Sequence, residues 1–266
     1  MLLEIRNLTV DFESAHQRVR AVDGVSLSID AGQVVGLVGE SGCGKTTLGL
    51  AITRLIPEPP AVIRSGEILF DGRDLLRLAP RELTRVRGGR IAYVFQEPST
   101  SLNPVMTIGR QLMETIALHT PHRGTAARQP ALEWLGRVGI PAPEERMSAY
   151  PHELSGGMKQ RVMIAMAIAS QPALLIADEP TTALDVTLER QIVMLLRRLQ
   201  RELGLSLLII SHSIHLVQQL ADRLAVMWQG RLVEEGPAAQ VLAQPSHEYT
   251  KRLLAAQPRV AVLEQS

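Results

Sequence analysis

The spacing of hydrophobic and polar residues changes along the chain, and the change predicts strands first and helices afterwards. Near the N-terminus apolar and polar residues alternate, which is typical of half-buried strands. This alternation predicts strands at Leu3–Val10, Val19–Val22 and Val25–Ile29. The next apolar stretch, Gln33–Val38, is short and bounded by glycines, as expected for a strand in the buried centre of a parallel sheet. A helical pattern then runs over Lys45–Leu55 and stops before a proline-rich stretch.

Further along, strand signals disappear between about residues 98 and 151, where helical stretches are separated by proline- and glycine-containing loops. After this region strands and helices alternate again, which is the pattern of a parallel α/β sheet. The interpretation is an inserted α-helical subdomain over 98–157. It interrupts a core made of 1–97 and 158–235, whose N-terminal strands form an antiparallel β subdomain, and residues 236–266 form a C-terminal segment.

Composition narrows the function classes. The 266 residues carry a formal net charge of +1 and only 3% aromatic residues, which disfavours a nucleic-acid partner. The single cysteine excludes an internal disulfide, so a reducing compartment is expected. The longest mostly apolar segment, Val162–Ala177, is interrupted by Ser170–Pro172 and is shorter than the ~20 residues of a membrane span. The N-terminus does not resemble a signal peptide, and we expect a chain that does not cross a membrane alone.

A phosphate-binding motif follows the apolar strand and opens the helix. It matches G-x-x-x-x-G-K-[ST] in full, and its residues are Gly39, Glu40, Ser41, Gly42, Cys43, Gly44, Lys45 and Thr46. Glycines let the backbone N–H groups point inward at phosphates, and the helix N-terminus adds partial positive charge. Lys45 is expected to reach the β- and γ-phosphates, Thr46 to ligate Mg²⁺, and Thr47 to line the site. Kinases and GTPases carry the same motif, so it predicts only a nucleotide site in a P-loop NTPase fold.

Two adjacent carboxylates end another apolar strand, Ala173–Asp178. Asp178 is expected to hold Mg²⁺ through water, and Glu179 to polarise the water that attacks the γ-phosphate. The alternative is an acidic turn at a strand end. Buried paired acids are costly without a cation, and a metal–nucleotide site supplies one. Together with the phosphate loop, the carboxylates favour nucleotide hydrolysis.

The sequence Leu154–Gln160, which reads LSGGMKQ, resembles the signature motif of ATP-binding-cassette (ABC) ATPases. Ser155 is suited to cap a helix, and Gly156 and Gly157 allow close backbone approach, so the motif forms a second anion-binding helix end. In that family the motif closes over the nucleotide of a partner subunit. The resemblance therefore implies a head-to-tail dimer, homo- or heteromeric, in which Ser155, Gly156, Gly157 and Gln160 contact the partner's ATP.

Other positions match the family's motifs, and their roles are implied by the resemblance alone. Gln96 corresponds to the glutamine that touches Mg²⁺ and water, and His212 to the switch histidine that contacts the γ-phosphate. Ala183–Asp185 corresponds to the loop that crosses to the partner, which gives Asp185 a binding role. Phe12 stands where an adenine-stacking aromatic is usual, with Val22 on the same face; a plain core role for Phe12 is the alternative. Ser213 replaces the aspartate that commonly follows the switch histidine.

Within the family, Gln96–Pro104 and His247–Leu254 resemble segments of peptide- and nickel-type importers, and the resemblance covers about residues 3–257. It implies an ATP- and Mg²⁺-dependent ATPase at the cytoplasmic face of the cell membrane. Its partners would be two permease subunits and, indirectly, a solute-binding protein for peptides, nickel or metal chelates. No cysteine follows Cys43, so the C-terminal cysteine cluster of many such importers is absent. The alternatives are an exporter ATPase and a soluble cassette acting on nucleic acid or ribosomes.

Cys43 lies inside the phosphate loop, at the N-terminus of the predicted helix. That environment tends to lower the pKa of a thiol, which predicts a reactive cysteine whose alkylation blocks ATP hydrolysis.

Overall fold

The computed structural model of the protein describes residues 1–15, 17–182 and 184–256, and within that part of the chain ten strands form two sheets. The smaller sheet is antiparallel and has the order β2–β1–β4–β5. Its strands are β1 (Leu3–Glu13), β2 (Arg18–Ile29), β4 (Ala61–Phe70) and β5 (Arg73–Asp74).

The larger sheet has the order β10–β9–β3–β8–β7–β6. Its members pair in parallel except β10, which is antiparallel to β9 at the edge. They are β3 (Val34–Val38), β6 (Ile91–Val94), β7 (Leu174–Asp178), β8 (Ser206–Ser211), β9 (Arg223–Trp228) and β10 (Arg231–Pro237). β3, β7 and β8 are buried at every position, which explains why they are apolar except at Asp178 and at the serines that end β8.

The helices of the described residues either cover the larger sheet or build the inserted subdomain. Those of the core and the C-terminal segment are α1 (Lys45–Ile52), α2 (Pro80–Val86), α7 (Gly156–Ile168), α8 (Val186–Leu203), α9 (Ile214–Gln218), α10 (Ala238–Ala243) and α11 (Glu248–Ala255). Those of the insertion are α3 (Pro98–Ser101), α4 (Ile108–His119), α5 (Arg128–Arg137) and α6 (Pro143–Arg146). None of the helices in the described part of the chain is both long and apolar enough to cross a bilayer.

Two hydrophobic clusters lie on opposite faces of the larger sheet. Along β3, Val34 and Val38 belong to the cluster under the helical side, whereas Val35 and Leu37 belong to the cluster shared with the antiparallel sheet. Successive side chains of a strand point to opposite faces, so one apolar strand supplies both cores. The α/β fold class with a parallel core, an antiparallel β subdomain and a helical insertion is thereby confirmed. The exact domain limits stay a prediction.

The element boundaries differ from the sequence-based prediction in one instructive place. Val19–Val22 and Val25–Ile29 belong to a single strand, β2, rather than to two. Asp23-Gly24 has the sequence of a turn, but Gly24 takes a positive φ of 62° within the strand, where its N–H donates to Thr9 Oγ1 at 3.2 Å. The pairing with β1 shifts register around this point, so the chain forms an irregularity instead of reversing.

Candidate nucleotide-binding site

The phosphate loop leaves the end of β3 and enters α1 through glycine-specific backbone. Gly42 and Gly44 have φ values of 81° and 107°, which side-chain-bearing residues rarely adopt. A Cβ added to Gly44 would lie 2.1 Å from the carbonyl oxygen of Ala21, and one on Gly39 would lie 2.2 Å from that of Met227. The glycines at these positions are therefore required by close backbone approach as well as by conformation.

Lys45 spans the inside of this loop. Its side chain is buried, and Nζ donates hydrogen bonds to the carbonyl oxygens of Gly39 and Glu40, both at 2.8 Å. The ammonium group is thus held by neutral carbonyl dipoles rather than by a carboxylate. A positive charge held in this way inside the loop remains available to anionic oxygen atoms.

Asp178 lies beside the first turn of α1. Its Oδ1 accepts a hydrogen bond from Thr46 Oγ1 at 3.2 Å, and its Oδ2 accepts one from Tyr93 Oη at 2.7 Å. Burial raises the pKa of Asp178, and these two hydrogen bonds oppose the rise only in part. A buried carboxylate next to a hydroxyl is the oxygen-donor set that suits a hard cation such as Mg²⁺. Within the described residues no cluster of three or more His, Cys, Asp or Glu could hold a metal by itself.

Glu179 follows in a left-handed conformation, with φ of 48°. Its backbone N–H donates to Ile210 of the neighbouring β8, and its carboxylate accepts from the His212 backbone N–H at 3.0 Å and from Thr182 Oγ1 at 3.2 Å. His212 Nδ1 lies 2.8 Å from Glu179 Oε2. The parallel pairing of β7 with β8 brings these two residues together, because the carboxyl ends of neighbouring parallel strands lie at the same sheet edge.

Nine of the eleven residues that line a cleft of about 460 Å³ are predicted site residues. The residues lining it are Phe12, Val19, Ala21, Ser41, Gly42, Gly44, Lys45, Thr46, Thr47, Gln96 and Glu179. Phe12 lies on the cleft, and its stacking on adenine stays a prediction. Val22 does not line it: its side chain is fully buried in the core, because alternation along β2 turns Val22 inward and presents Val19 and Ala21 instead.

The signature residues lie outside this cleft. Ser155 caps α7, since its Oγ accepts from the Met158 N–H at 3.3 Å, and Gly156 is exposed beside it. A Cβ on Gly157 would lie 3.1 Å from Leu188, at the start of α8. Asp185 caps α8 by accepting from the Leu188 N–H at 2.9 Å. Gln160 is buried, and Ala183 lies outside the described residues.

The prediction that the phosphate loop lowers the pKa of the Cys43 thiol is wrong. Cys43 is buried, and burial raises the pKa of its thiol. The ammonium of Lys45, 3.8 Å from Sγ, opposes this rise without overcoming it. Desolvation of the thiolate therefore outweighs the positive charge of the loop and helix end.

Two residues that hold the carboxylates of the site were not predicted from the sequence. Tyr93 holds Asp178, and Thr182 holds Glu179. The hydroxyl-bearing aromatic within the otherwise apolar strand β6 was a usable signal for Tyr93. Thr182 gave no such signal, because its role depends on the turn that folds it back onto the carboxylate three residues earlier.

Comparison with known proteins agrees with this geometry. The family model described as "ABC transporter" matches residues 22–182, which is more than half of the chain. The chain therefore belongs to the ABC transporter family, and its fold is that of an ATP-binding cassette.

Several curated relatives cover nearly the whole chain. It is 53% identical over 258 residues to the "Peptidoglycan transport ATP-binding protein YejF" of Agrobacterium fabrum, covering 97% of this chain and 47% of that protein. It is 47% identical over 257 residues to the "Oligopeptide transport ATP-binding protein OppD" of Bacillus subtilis, covering 97% of this chain and 72% of that protein. The chain thus spans about half the length of the first relative and nearly three quarters of the second.

Solved structures show the same architecture. The dimeric post-hydrolysis state of the ATP-binding cassette MJ0796 bound to ADP and Pi is 29% identical, with a TM-score of 0.79 over 89% of this chain and 99% of that chain. CbiO1 from Clostridium perfringens, part of the ABC transporter complex cbiONQ, is 29% identical, with a TM-score of 0.77 over 91% of each chain.

Proposed function

We propose that this chain is the ATP-binding and ATP-hydrolysing subunit of an ABC importer for peptide-class solutes. The observation that carries the proposal is the convergence, on one cleft, of the phosphate loop and the Glu179 carboxylate. A phosphate cradle with a positioned carboxylate at its mouth suits transfer of a phosphoryl group to water. Binding alone would not need Glu179 at that place.

Each residue has a role that its surroundings support. The loop amides and Lys45 hold the phosphates, and Phe12 stacks on the adenine at the other end of the cleft. Thr46, Asp178 and Gln96 would hold Mg²⁺, which would neutralise charge on the phosphate oxygens. Glu179 orients and polarises the attacking water, and His212 fixes the Glu179 carboxylate through the 2.8 Å contact and reaches the γ-phosphate.

The signature residues act on a second cassette in this proposal. Ser155 and Gly156 are exposed at the start of α7, where the free N–H groups of a helix end attract anions. They, with Gly157, Gln160 and Asp185, close over the nucleotide of a partner ATPase subunit, identical or related. Transport would also need two permease subunits and a solute-binding protein. The helical subdomain 98–157 would contact the permease subunits. The complex would sit at the cytoplasmic face of the cell membrane.

The relatives' names support peptides over nickel as the transported class. This chain covers 72% of a relative named for oligopeptide transport and 79% of another named for dipeptide transport. A test is uptake of labelled di- and oligopeptides, and separately of nickel, by cells that make this chain with its membrane partners. Nickel uptake without peptide uptake would contradict the peptide assignment.

The catalytic assignment is tested with purified protein. Lys45→Ala is expected to lose ATP binding, because the loop then has no charge to offset the phosphates. Glu179→Gln is expected to bind ATP normally and to hydrolyse it about 10²- to 10⁴-fold more slowly, the usual range for a general base. Equilibrium nucleotide binding and phosphate release are the measurements. A Lys45→Ala protein that still binds ATP tightly would contradict the site.

A further inference from the structure

The outer side of the phosphate loop is held by residues far along the chain. The Cys43 carbonyl accepts a hydrogen bond from the Gly230 N–H at 3.0 Å, in the turn between β9 and β10. The Glu40 N–H donates to Tyr249 Oη at 2.9 Å, and Tyr249 lies in the first turn of α11. Both contacts come from beyond residue 182, where the match to the family model ends.

Burial and ring stacking fix the side chain of Tyr249 in its position. It is only 3% exposed, and its ring stacks on Trp228 with centroids 5.5 Å apart. Because the tyrosine is buried, water has little access to replace its hydroxyl as the partner of the Glu40 N–H. A backbone N–H that loses its partner in such a place is costly, so this one contact constrains the loop.

The start of α11 is itself anchored to β10 through Glu234. This carboxylate accepts from the Ser246 N–H at 2.7 Å, from Ser246 Oγ at 2.9 Å and from the His247 N–H at 3.0 Å. Although burial opposes the shift, these hydrogen bonds lower the pKa of Glu234 to about 2. The carboxylate therefore stays ionised at neutral pH and fixes the segment that presents Tyr249.

We propose that Tyr249 is a positioning residue for the phosphate loop, and that the C-terminal helix α11 sets ATP affinity through its bond to the Glu40 N–H. The inference rests on the proposed ATP site. Lys45 holds the carbonyls of Gly39 and Glu40 from the inside, whereas Tyr249 holds the Glu40 N–H from the outside. The loop is thereby fixed on both sides before nucleotide arrives, which reduces the ordering cost of binding.

The direct test is Tyr249→Phe, which keeps the ring and its stacking on Trp228 and removes only the hydroxyl. We expect the Kd and the KM for ATP to rise about three- to tenfold, with kcat changed less than twofold, because one hydrogen bond to the loop is lost. Hydrogen exchange should show weaker protection of the Glu40 amide. Tyr150→Phe, a hydroxyl removal on a partly exposed tyrosine of the helical subdomain, is the matched control and should leave Kd unchanged.

Glu234→Ala gives a second route, since it releases the start of α11 without touching the loop or Tyr249. It should raise the Kd in the same direction, and combining it with Tyr249→Phe should add little. Overturning results are a Tyr249→Phe protein with wild-type Kd and wild-type Glu40 protection, or one that only melts earlier with Kd unchanged. A wild-type protein that fails to bind ATP would instead refute the proposed function, so the two failures are distinguishable.

Discussion

At the scale of single residues, Asp178 and Glu179 are neighbours that the fold uses differently. Asp178 continues β7, and its carboxylate is enclosed between Thr46 and Tyr93. Glu179 turns out of the strand with φ of 48°, so its carboxylate faces the cleft and His212. A left-handed non-glycine residue costs on the order of 1–3 kcal/mol, and the hydrogen bonds around Glu179 hold it there. The Asp178 carboxylate is therefore placed to bind a cation, and the Glu179 carboxylate is placed to bind a water molecule in the cleft.

Asp178→Asn is expected to stabilise the nucleotide-free protein while abolishing Mg²⁺-dependent hydrolysis. Burial raises the pKa of Asp178 in the folded state. Its protonated form therefore favours folding at low pH, and that contribution is lost as the pH rises through the folded pKa. Asparagine removes the charge and can still bond both hydroxyls, because its amide oxygen accepts from one and its N–H donates to the oxygen of the other, so the variant should gain roughly 0.5–2 kcal/mol over the wild type at pH 8.

Urea denaturation of both proteins at pH 5 and pH 8 measures this, and the advantage of the variant should be larger at pH 8. Asp178→Ala is the control: it leaves Thr46 and Tyr93 without their acceptor and should destabilise. An asparagine variant less stable than wild type at pH 8 would show that the ionised carboxylate is not a cost in the folded state.

The residues that could be predicted from sequence are those whose role is local. Gly39–Thr46 form one continuous loop, and Asp178 and Glu179 follow one apolar strand, so their chemistry follows from neighbours in the chain. Tyr93 contributes only because β6 lies beside β7, and that strand order is a property of the whole sheet. Val22 was placed on the cleft by the resemblance alone, whereas alternation along β2 turns its side chain into the core.

At the scale of elements, the antiparallel subdomain is tied together by one buried carboxylate. Asp11 in β1 is fully buried and forms ion pairs with Arg18 and Arg20 of β2 and with Arg64 of β4. Burial opposes ionisation, but hydrogen bonds from the three arginines lower the pKa of Asp11. The arginine side chains are 36–51% exposed, so their charges remain partly hydrated. This cluster joins three strands next to Phe12.

Asp11→Asn is expected to destabilise the protein by roughly 1–3 kcal/mol at pH 7, less than for a fully buried pair because the arginines still reach water. The pKa of Asp11 is depressed, so its contribution is present above the unfolded value of 3.8 and lost as the pH falls through the folded value. The gap between variant and wild type should thus hold from pH 7 to 5 and narrow in stronger acid.

Denaturant titrations over this pH range test the prediction. Asp30→Asn, at a side chain 62% exposed and paired with the N-terminal amine, is the matched control, expected within about 0.5 kcal/mol of wild type. Equal effects of the two substitutions would mean that the Asp11 cluster adds nothing beyond a surface pair.

Strands with continuous apolar sequences were predictable, and short helices were not. The apolar strands β3 and β7 were located within one residue of their ends. The helices α2, α10 and α11 are six to eight residues long, and local pattern does not determine them. α11 is instead held by tertiary contacts, through Glu234 at its start and Tyr249 within it, which no short-range pattern encodes.

At the scale of the whole molecule, the proposed dimer would use each chain for parts of two half-sites. The phosphate loop, Gln96 and Glu179 line one cleft, whereas Ser155 and Gly156 are exposed outside it at the start of α7. An exposed helix N-terminus with a serine cap has no internal anion to bind. Two copies arranged head to tail would bring each loop to the other chain's helix end, which closes the assembly with two equivalent sites.

This arrangement predicts complementation between two inactive variants, both in a Glu179→Gln background that prevents hydrolysis. Lys45→Ala removes the loop function, and Ser155→Arg blocks the exposed helix end with a bulky cation. Each variant alone should trap almost no ATP.

When the two variants are mixed in equal amounts, half of the dimers contain one chain of each kind. Each such dimer holds one site with an intact loop and an intact helix end. The mixture should therefore trap about a quarter of the ATP held by Glu179→Gln alone, measured as nucleotide retained after rapid gel filtration. No recovery on mixing would mean that loop and signature act within one chain, and full trapping by Ser155→Arg alone would remove the signature from the site.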